Sequence, residues 1–218
     1  MEEIARVTNG NWKPGCPVNV KEYSIDSRSV MNPEHTLFFA LKGKNHDGHD
    51  YIAPLYDSGV RAFVVSEWRK EFDALAEANF IVVADVLAAL QALAAAHRSR
   101  SKALVVGITG SNGKTITKEW LYQLLAEDIP VYRSPRSYNS QVGVPLSLLG
   151  IDDRAEVAII EAGISRPGEM ARLEAMIRPA VGVFTHLGEA HGENFPSEEA
   201  KLKEKTRLFK SCEQIVCK

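Results

Sequence analysis

The sequence predicts an α/β protein in which a small mixed α/β domain, residues 1–98, precedes part of a parallel-sheet domain, residues 99–218. Two observations support this fold class. The first hundred residues read as short apolar strands separated by turn-rich loops. After residue 102 the pattern becomes strand, turn and helix, repeated, which is typical of parallel strands joined by helical crossovers on both faces of a sheet.

The first domain is predicted to contain four strands and one long helix. The strands are residues 23–28, 36–41, 62–67 and 80–84, and the polar, glycine-containing segment 42–49 is either an exposed loop or part of a site. Asp85 is the expected N-cap of a helix that carries Leu87, Leu90, Leu93 and Ala94 at helical spacing. That helix ends in polar residues 97–102, where we place the domain boundary.

The second domain is predicted to alternate five strands with four helices. The strands are residues 103–108, 131–134, 157–160, 181–185 and 214–217. The last three helices lie near residues 145–149, after Ser165 and Pro167, and from Ser197 onward. The first helix has one apolar stripe, which comprises Ile116, Trp120, Leu121, Leu124 and Leu125.

The sequence ends inside the last predicted strand, and no helix follows to cover the sheet. Because a sheet that is buried on both faces rarely ends in this way, we expect the chain to be the front part of a longer protein. A compact edge strand at the terminus is the alternative.

Composition and charge exclude several classes of partner. Of 218 residues, 26 are Lys or Arg and 28 are Asp or Glu, so the net charge of −2 provides no basic field for nucleic acid or anionic lipid. The longest apolar stretch, residues 80–96, is interrupted by Asp85 and Gln91 and is shorter than the roughly 20 residues of a membrane span. Three cysteines without metal-ligand spacing favour a reducing cytoplasm.

A glycine-rich segment, GITGSNGKT at residues 107–115, follows an apolar strand and opens a helix, which is the context of a phosphate-binding loop. Its glycines let backbone N–H groups turn inward, and the helix amino end adds positive potential. Lys114 would then bridge terminal phosphates, and the Thr115 hydroxyl would bind Mg²⁺. The strict pattern has glycine where this sequence has Ile108, so a glycine-rich turn with an incidental lysine is the alternative. We expect ATP or GTP binding.

Two further residues are candidate metal ligands at the same sheet edge. Glu161 directly follows the strand at residues 157–160, so it should point toward the Mg²⁺ position. Its alternative is an exposed loop carboxylate. His191 follows the next strand and could supply an imidazole to a second cation, although a loop histidine is more often solvated.

Lys205 falls on the apolar stripe of the last helix, three or four residues from Leu202, Leu208 and Phe209. Burial there would lower its pKa and expose a nucleophilic amine, as a lysine that undergoes chemical modification needs. The alternative is a snorkelling lysine with its ammonium group in water. We expect Lys201, Lys203 and Lys210 to form a solvated face.

These residues together resemble the Mur ligases, ATP-dependent amide-bond synthetases that assemble the peptide of bacterial cell-wall precursors. The loop TGSNGKT at residues 109–115 is similar to the phosphate-binding loop of that family, in which the first glycine stands later than in the strict pattern, here at Gly110 instead of position 108. Residues 137–146, 161–163 and 166–170 are most similar to the branch that adds D-alanyl-D-alanine to UDP-N-acetylmuramoyl-tripeptide. The resemblance covers nearly the whole chain and implies a P-loop ATPase domain after a UDP-recognition domain.

The resemblance implies roles for individual residues. Segments 26–28, 37–41 and 47–49 resemble the module that holds the UDP end of the substrate, with Ser27 and Arg28 as contacts, and Asn139 resembles a residue near the substrate diphosphate. Glu161 and His191 resemble metal ligands, and Lys205 stands where a carbamylated lysine holds a second Mg²⁺. The ATP-binding residues would be Gly110, Ser111, Asn112, Gly113, Lys114 and Thr115, with Thr115 also on Mg²⁺.

Two departures from the family pattern are visible. His186 stands where the family commonly has asparagine, and the chain would hold only the first of three domains and about half of the ATPase domain. The implied reaction begins with attack of the tripeptide carboxylate on the ATP γ-phosphate. An acyl phosphate forms, and the amine of D-alanyl-D-alanine displaces phosphate.

Several other interpretations stay open. A ligase adding the third amino acid and a catalytically silent UDP-binding module both fit the motifs. The segment at residues 26–28 argues against a folate-type polyglutamate ligase. A P-loop kinase would need an acceptor lid that we do not find.

Overall fold

The computed structural model describes residues 1–188 and 194–217. The chain divides into two compact units, Met1–Leu93 and Ala94–Lys218. The division falls within helix α3, Val86–Arg100, whose N-cap is Asp85 as predicted, since the Asp85 carboxylate accepts hydrogen bonds from the Leu87 and Ala88 amides. Among the described residues, none of the helices combines the length and the apolar character that crossing a membrane requires.

The first unit is built on a five-stranded mixed sheet in the order β1-β5-β4-β3-β2. All neighbouring strands are parallel except β1, which runs antiparallel to β5. The strands are β1 Asn11–Lys13, β2 Glu22–Ser24, β3 Thr36–Phe39, β4 Ala62–Val65 and β5 Asn79–Val82, and the short helices are α1 Glu2–Val7 and α2 Ile52–Asp57. Strands β3 and β4 are buried along their whole length, and the stacked rings of Phe63 and Phe80 help to fill the core.

The predicted strand at residues 23–28 is wrong beyond Ser24. The Asp26 carboxylate accepts a hydrogen bond from the Arg28 amide at 3.0 Å and starts a 3₁₀ turn, Ser27–Ser29. Short polar side chains compete in this way with strand hydrogen bonding, and the apolar pattern does not reveal it. Ser27 and Arg28 therefore lie on a turn at the end of β2.

The second unit contains a five-stranded, all-parallel sheet in the order β10-β9-β6-β8-β7, as the alternating pattern predicted. Its strands are β6 Leu104–Thr109, β7 Val131–Arg133, β8 Val157–Glu161, β9 Val181–Phe184 and β10 Gln214–Cys217. Its other helices are α4 Lys114–Leu125, α5 Gly143–Leu149, α6 Glu169–Ile177 and α7 Glu198–Thr206. Because β6 is central, the loops that follow β6, β8 and β9 meet at one edge of the sheet.

The apolar stripe predicted for α4 is not its buried face. Ile116, Trp120 and Leu124 are 54%, 61% and 72% exposed, whereas Lys118 is completely buried. Leu121 packs only partly against the sheet. Helix α4 is thus oriented with Lys118, not its apolar stripe, toward Glu161 at the end of β8.

Candidate functional site

The loop between β6 and α4 makes a close turn that depends on glycine. Gly110 has φ +146° and Gly113, the N-cap of α4, has φ +82°. The Ser111 amide donates to the His186 carbonyl at 2.7 Å, and the Thr185 hydroxyl donates to the Asn112 carbonyl at 2.6 Å. These bonds tie the loop to the segment after β9.

The amino end of α4 has backbone donors that the helix itself does not use. The first backbone bond inside the helix runs from the Thr117 amide to the Gly113 carbonyl at 2.9 Å. The amides of the preceding turn therefore have no acceptor within the helix, as at any helix start. Together with the helix dipole, such amides form a binding position for an anion.

Two lysine ammonium groups converge on one carbonyl oxygen of this loop. Lys114 Nζ and Lys205 Nζ donate to the Gly110 carbonyl at 3.0 and 3.1 Å, and Lys114 also donates to the Ser111 carbonyl at 3.3 Å. Burial lowers the pKa of Lys114, partly against the attraction of Glu161. Two cations on a single carbonyl make this position attractive to a multiply charged anion.

Lys205 is 3% exposed, so the expected burial is confirmed and the snorkelling alternative is wrong. Burial, followed by the charges of Lys114 and Lys201, lowers the pKa of Lys205 to about 8. The Glu204 carboxylate fixes its helix, because Glu204 Oε1 accepts from the Gly168 and Met170 amides at 2.8 and 3.1 Å. The amine of Lys205 is thus held beside the phosphate loop and is more readily deprotonated than an ordinary lysine.

The prediction that Lys201 belongs to a solvated face is wrong. Lys201 is 2% exposed, and its ammonium group donates to the Gly188 carbonyl, which also accepts from the Ser111 hydroxyl at 3.0 Å. Lys203 and Lys210 are exposed as expected, and Leu202 is 38% exposed rather than buried. Helix α7 therefore turns Lys201 and Lys205 toward the phosphate loop and the segment after β9. The apolar pattern of α7 does not predict this orientation.

Glu161 is the last residue of β8 and is completely buried, so the exposed-carboxylate alternative is wrong. Glu161 Oε2 accepts hydrogen bonds from the Thr115 hydroxyl at 3.2 Å and from the Asn139 amide group at 3.4 Å. Glu161 Oε1 lies 3.0 Å from Lys118 Nζ in an ion pair, and among the described residues it accepts no hydrogen bond. Lys118 already provides a cation for Oε1, so Oε2, beside the Thr115 hydroxyl, is the oxygen that a metal cation could approach.

The donor atoms around Glu161 fit Mg²⁺. The Glu161 carboxylate and the Thr115 hydroxyl are neighbouring oxygen donors, and Mg²⁺ prefers oxygen ligands. His191 lies outside the described residues, and the residue whose family counterpart is asparagine, His186, contacts the loop through its backbone carbonyl.

A small cavity of about 100 Å³ lies beside Lys114, Lys205 and Asn139. It brings together the phosphate loop, the turn before α5 and the segment after β8. The lining residues are Gly110, Ser111, Lys114, Asn139, Ser140, Gly163, Ile164, Ser165 and Lys205.

A larger cavity of about 380 Å³ lies in the first unit and includes the predicted substrate contacts Ser27 and Arg28. Its other lining residues are Ile25, Asp26, Leu41, His46, Gly48 and Tyr51. Arg28 forms two hydrogen bonds with the Asp26 carboxylate, at 2.9 and 2.8 Å, and these bonds hold the pKa of Asp26 at about 2. The guanidinium group thus pairs with Asp26 at the cavity while its side chain stays 87% exposed.

Sequence analysis missed Lys118, which touches Glu161 and two loop carbonyls. Its spacing was an available signal, because Lys118 lies four residues after Lys114 and thus on the same side of α4. The buried Lys201 and Glu204 had no comparable signal, since both stand in a highly charged segment.

Comparison with known proteins gives a consistent family. Residues 108–217 match the Mur ligase middle domain, and residues 19–98 match the catalytic domain of the Mur ligase family. UDP-N-acetylmuramoyl-tripeptide–D-alanyl-D-alanine ligases are 37% identical over 194 residues in Rickettsia prowazekii and 34% identical over 198 residues in Borreliella burgdorferi. These alignments cover 89% and 87% of this chain and 42% of each relative. The chain thus spans about two fifths of the length of these relatives.

Solved structures agree with the sequence relatives. MurF from Acinetobacter baumannii aligns with a TM-score of 0.87 at 28% identity, covering 97% of this chain and 46% of that one. MurF ligase from Thermotoga maritima, solved in complex with ADP, aligns with a TM-score of 0.78 at 31% identity, covering 91% and 45%. The two-part α/β fold predicted from the sequence is therefore confirmed. Since the middle-domain match alone covers half of the residues, the chain belongs to the Mur ligase family.

Proposed function

We propose that the chain is part of an ATP-dependent ligase that adds D-alanyl-D-alanine to UDP-N-acetylmuramoyl-tripeptide. One observation carries this proposal: the phosphate loop, two partly desolvated lysines and the buried Glu161 carboxylate meet at one edge of a parallel sheet. Relatives that are UDP-N-acetylmuramoyl-tripeptide–D-alanyl-D-alanine ligases support the choice of substrates. Free thiols at all three cysteines agree with a location in the cytoplasm, where ATP is available.

ATP would bind with its terminal phosphates at the amino end of α4. The unused amides there would donate to phosphate oxygens, and Lys114 would exchange its contact with the Gly110 carbonyl for a contact with phosphate. Gly110, Ser111, Asn112 and Gly113 would shape the turn. The ADP complex of the Thermotoga maritima relative supports adenine nucleotide rather than GTP.

Thr115 and Glu161 would hold Mg²⁺ through the hydroxyl and the carboxylate. Bound Mg²⁺ would offset the negative charge that builds up on the phosphate oxygens. Asn139 and Lys118 would keep the Glu161 carboxylate in a fixed orientation. His191 and a carbamylated Lys205 would together supply ligands for a second Mg²⁺.

Lys205 is suited to carbamylation. With a pKa of about 8, about one tenth of its side chains would be neutral at pH 7, against roughly one in 3000 for an ordinary lysine. The neutral nitrogen would form a bond to the carbon of CO₂, one C=O electron pair would move to oxygen, and the nitrogen would release a proton. The product is a carboxylate-like group beside the phosphate loop.

The first unit would hold the uridine diphosphate end of the substrate in its cavity of about 380 Å³, with Ser27 and Arg28 as contacts. The tripeptide carboxylate would attack the γ-phosphate to form an acyl phosphate, and the amine of D-alanyl-D-alanine would then displace phosphate. Both reactants of the first step are anions. Cancelling their charge with Lys114 and the bound metal is therefore the main task of the site.

Phosphate release by the full-length protein tests this proposal. We expect release only when ATP, UDP-N-acetylmuramoyl-tripeptide and D-alanyl-D-alanine are all present, and no release from the Lys114→Ala variant. Lys203→Ala, which changes an exposed lysine, is the matched control and should keep full activity. Near-normal turnover of Lys114→Ala, or release that does not depend on the dipeptide, would contradict the proposal.

A further inference from the structure

Lys118 is a charged residue in a position that normally takes an apolar side chain. It lies on the sheet-facing side of α4 and is completely buried. Its ammonium group donates to the Ser134 carbonyl at 2.8 Å and to the Arg136 carbonyl, and it lies 3.0 Å from Glu161 Oε1. A buried ammonium group is costly unless its donors are used in this way.

These contacts join three separate parts of the site. Lys118 stands one helical turn after Lys114, so it belongs to the same helix as the phosphate-loop lysine. The Ser134 and Arg136 carbonyls belong to the segment that leads to Asn139. Glu161 ends the neighbouring strand β8. Removing the Lys118 ammonium group would leave two carbonyls and a carboxylate without that partner.

The two oxygens of the Glu161 carboxylate have different surroundings. Oε1 faces Lys118, whereas Oε2 faces the Thr115 hydroxyl and the Asn139 amide. The two oxygens are chemically equivalent, so exchanging them would change nothing. The ion pair on one side and the two donors on the other instead fix the plane of the carboxylate, and with it the direction in which an oxygen lone pair faces the phosphate-loop side.

We propose that Lys118 is a positioning residue that orients the Glu161 carboxylate and the segment at residues 134–139 for the metal–nucleotide complex. The inference rests on the proposed function, and it adds a residue that contacts neither nucleotide nor metal. Replacing both partners of a buried ion pair by apolar residues is often neutral for stability, whereas removing one partner alone is strongly destabilising. A loss of stability in Lys118→Met would therefore not identify a positioning role, and the test needs a readout of metal-dependent binding.

Calorimetric titration of ADP into the full-length protein, with and without Mg²⁺, tests this inference. In the unchanged protein we expect Mg²⁺ to tighten ADP binding. In Lys118→Met the metal-free affinity should stay within about threefold, while the gain from Mg²⁺ should fall roughly 10- to 100-fold, as is typical when a residue that orients a metal ligand is lost. Lys203→Met makes the same change at an exposed lysine and should leave both affinities unchanged.

The outcomes separate the inference from the proposed function. If the unchanged full-length protein does not bind ADP at all, the proposed function fails and the inference fails with it. If the unchanged protein binds ADP and Lys118→Met keeps the full gain from Mg²⁺, only the inference is overturned. An equal loss of affinity with and without metal would also overturn it, because that result indicates general damage to the loop.

Thermal unfolding of Lys118→Met, Glu161→Gln and the double variant provides a second test that does not require the single variant to bind ligand. We expect the double variant to melt at a higher temperature than the sum of the two single shifts predicts, because removing both charges leaves neither unpaired. If Lys118→Met does not fold, recovery of cooperative unfolding in the double variant supports the pairing. Additive shifts, or no recovery, would contradict it.

Discussion

Replacing Gly110 with alanine should damage the protein more than the same change at two other glycines with positive φ. A Cβ atom at Gly110 would clash with Thr185 Oγ1 and would lie 3.0 Å from the backbone nitrogen and oxygen of His186. At Gly113 the nearest atom would be 3.7 Å away, and at Gly168 none lies within 4 Å. The three positions therefore share the backbone penalty but differ in crowding.

The structure gives the expected size of the difference. A left-handed backbone costs a residue other than glycine about 1–2 kcal/mol at each position. At Gly110, overpacking adds roughly 1–3 kcal/mol. Displacing Thr185 also breaks its hydrogen bond to the Asn112 carbonyl, which contributes about 0.5–1.5 kcal/mol. We expect Gly110→Ala to lower the free energy of unfolding by about 3–6 kcal/mol, and the other two substitutions by about 1–2 kcal/mol.

Urea unfolding of the 218-residue chain measures these differences, and ADP titration of the folded variants measures the loop itself. Gly168→Ala is the matched control, because it changes the turn before α6 and should leave ADP binding intact. Gly110→Ala should weaken ADP binding at temperatures where it stays folded. If Gly110→Ala were no less stable than Gly168→Ala, the close contact between the loop and Thr185 would be refuted.

Two further predictions concern charged groups. Arg28→Ala should weaken UDP binding about tenfold, because a charge-assisted contact is lost; Arg154→Ala is the control, since Arg154 is equally exposed and pairs with Asp152 as Arg28 pairs with Asp26. Equal affinities of the two variants in calorimetry would exclude the contact. The pKa of Lys205 is about 8 in the folded state and about 10.5 in the unfolded state. Below pH 8 the folded protein therefore bears the full cost of protonating a buried lysine. That cost in folding free energy disappears as the pH rises toward 10.5. Lys205→Met should therefore reduce the gain in stability between pH 8 and 10 seen by urea unfolding, and an unchanged gain would show that another group causes it.

The sequence was sufficient to predict the elements whose signals are local. The parallel strands of the second unit follow from short apolar runs between turns, and Asp85 caps its helix because a carboxylate before an apolar repeat satisfies free amides. The phosphate loop was recognisable because glycines and the Gly113-Lys114-Thr115 triplet stand between a strand and a helix. Burial of Lys205 was predicted correctly, but the apolar stripe that suggested it is only partly real, because Leu202 is exposed and Leu208 and Phe209 lie in a 3₁₀ turn after α7.

Features that depend on contacts between distant segments could not be predicted in this way. Periodicity identified an apolar stripe on α4 but could not indicate that Glu161, 43 positions further on, draws Lys118 inward. The buried ammonium group of Lys201 donates a hydrogen bond to the Gly188 carbonyl. The residues that neighbour Lys201 in the sequence do not reveal this partner. Strand β1 is three residues long and gains its partner only when β5 is in place, so no local pattern marks it.

A crystal structure of the chain with ADP and Mn²⁺ would test the proposed site most directly, because the anomalous signal of manganese locates the metal without reference to the protein. We expect the ADP phosphates at the amino end of α4 and the manganese peak within bonding distance of the Thr115 hydroxyl and the Glu161 carboxylate. Phosphates bound elsewhere, or a manganese peak remote from Glu161, would contradict the assignment of this sheet edge as the nucleotide site.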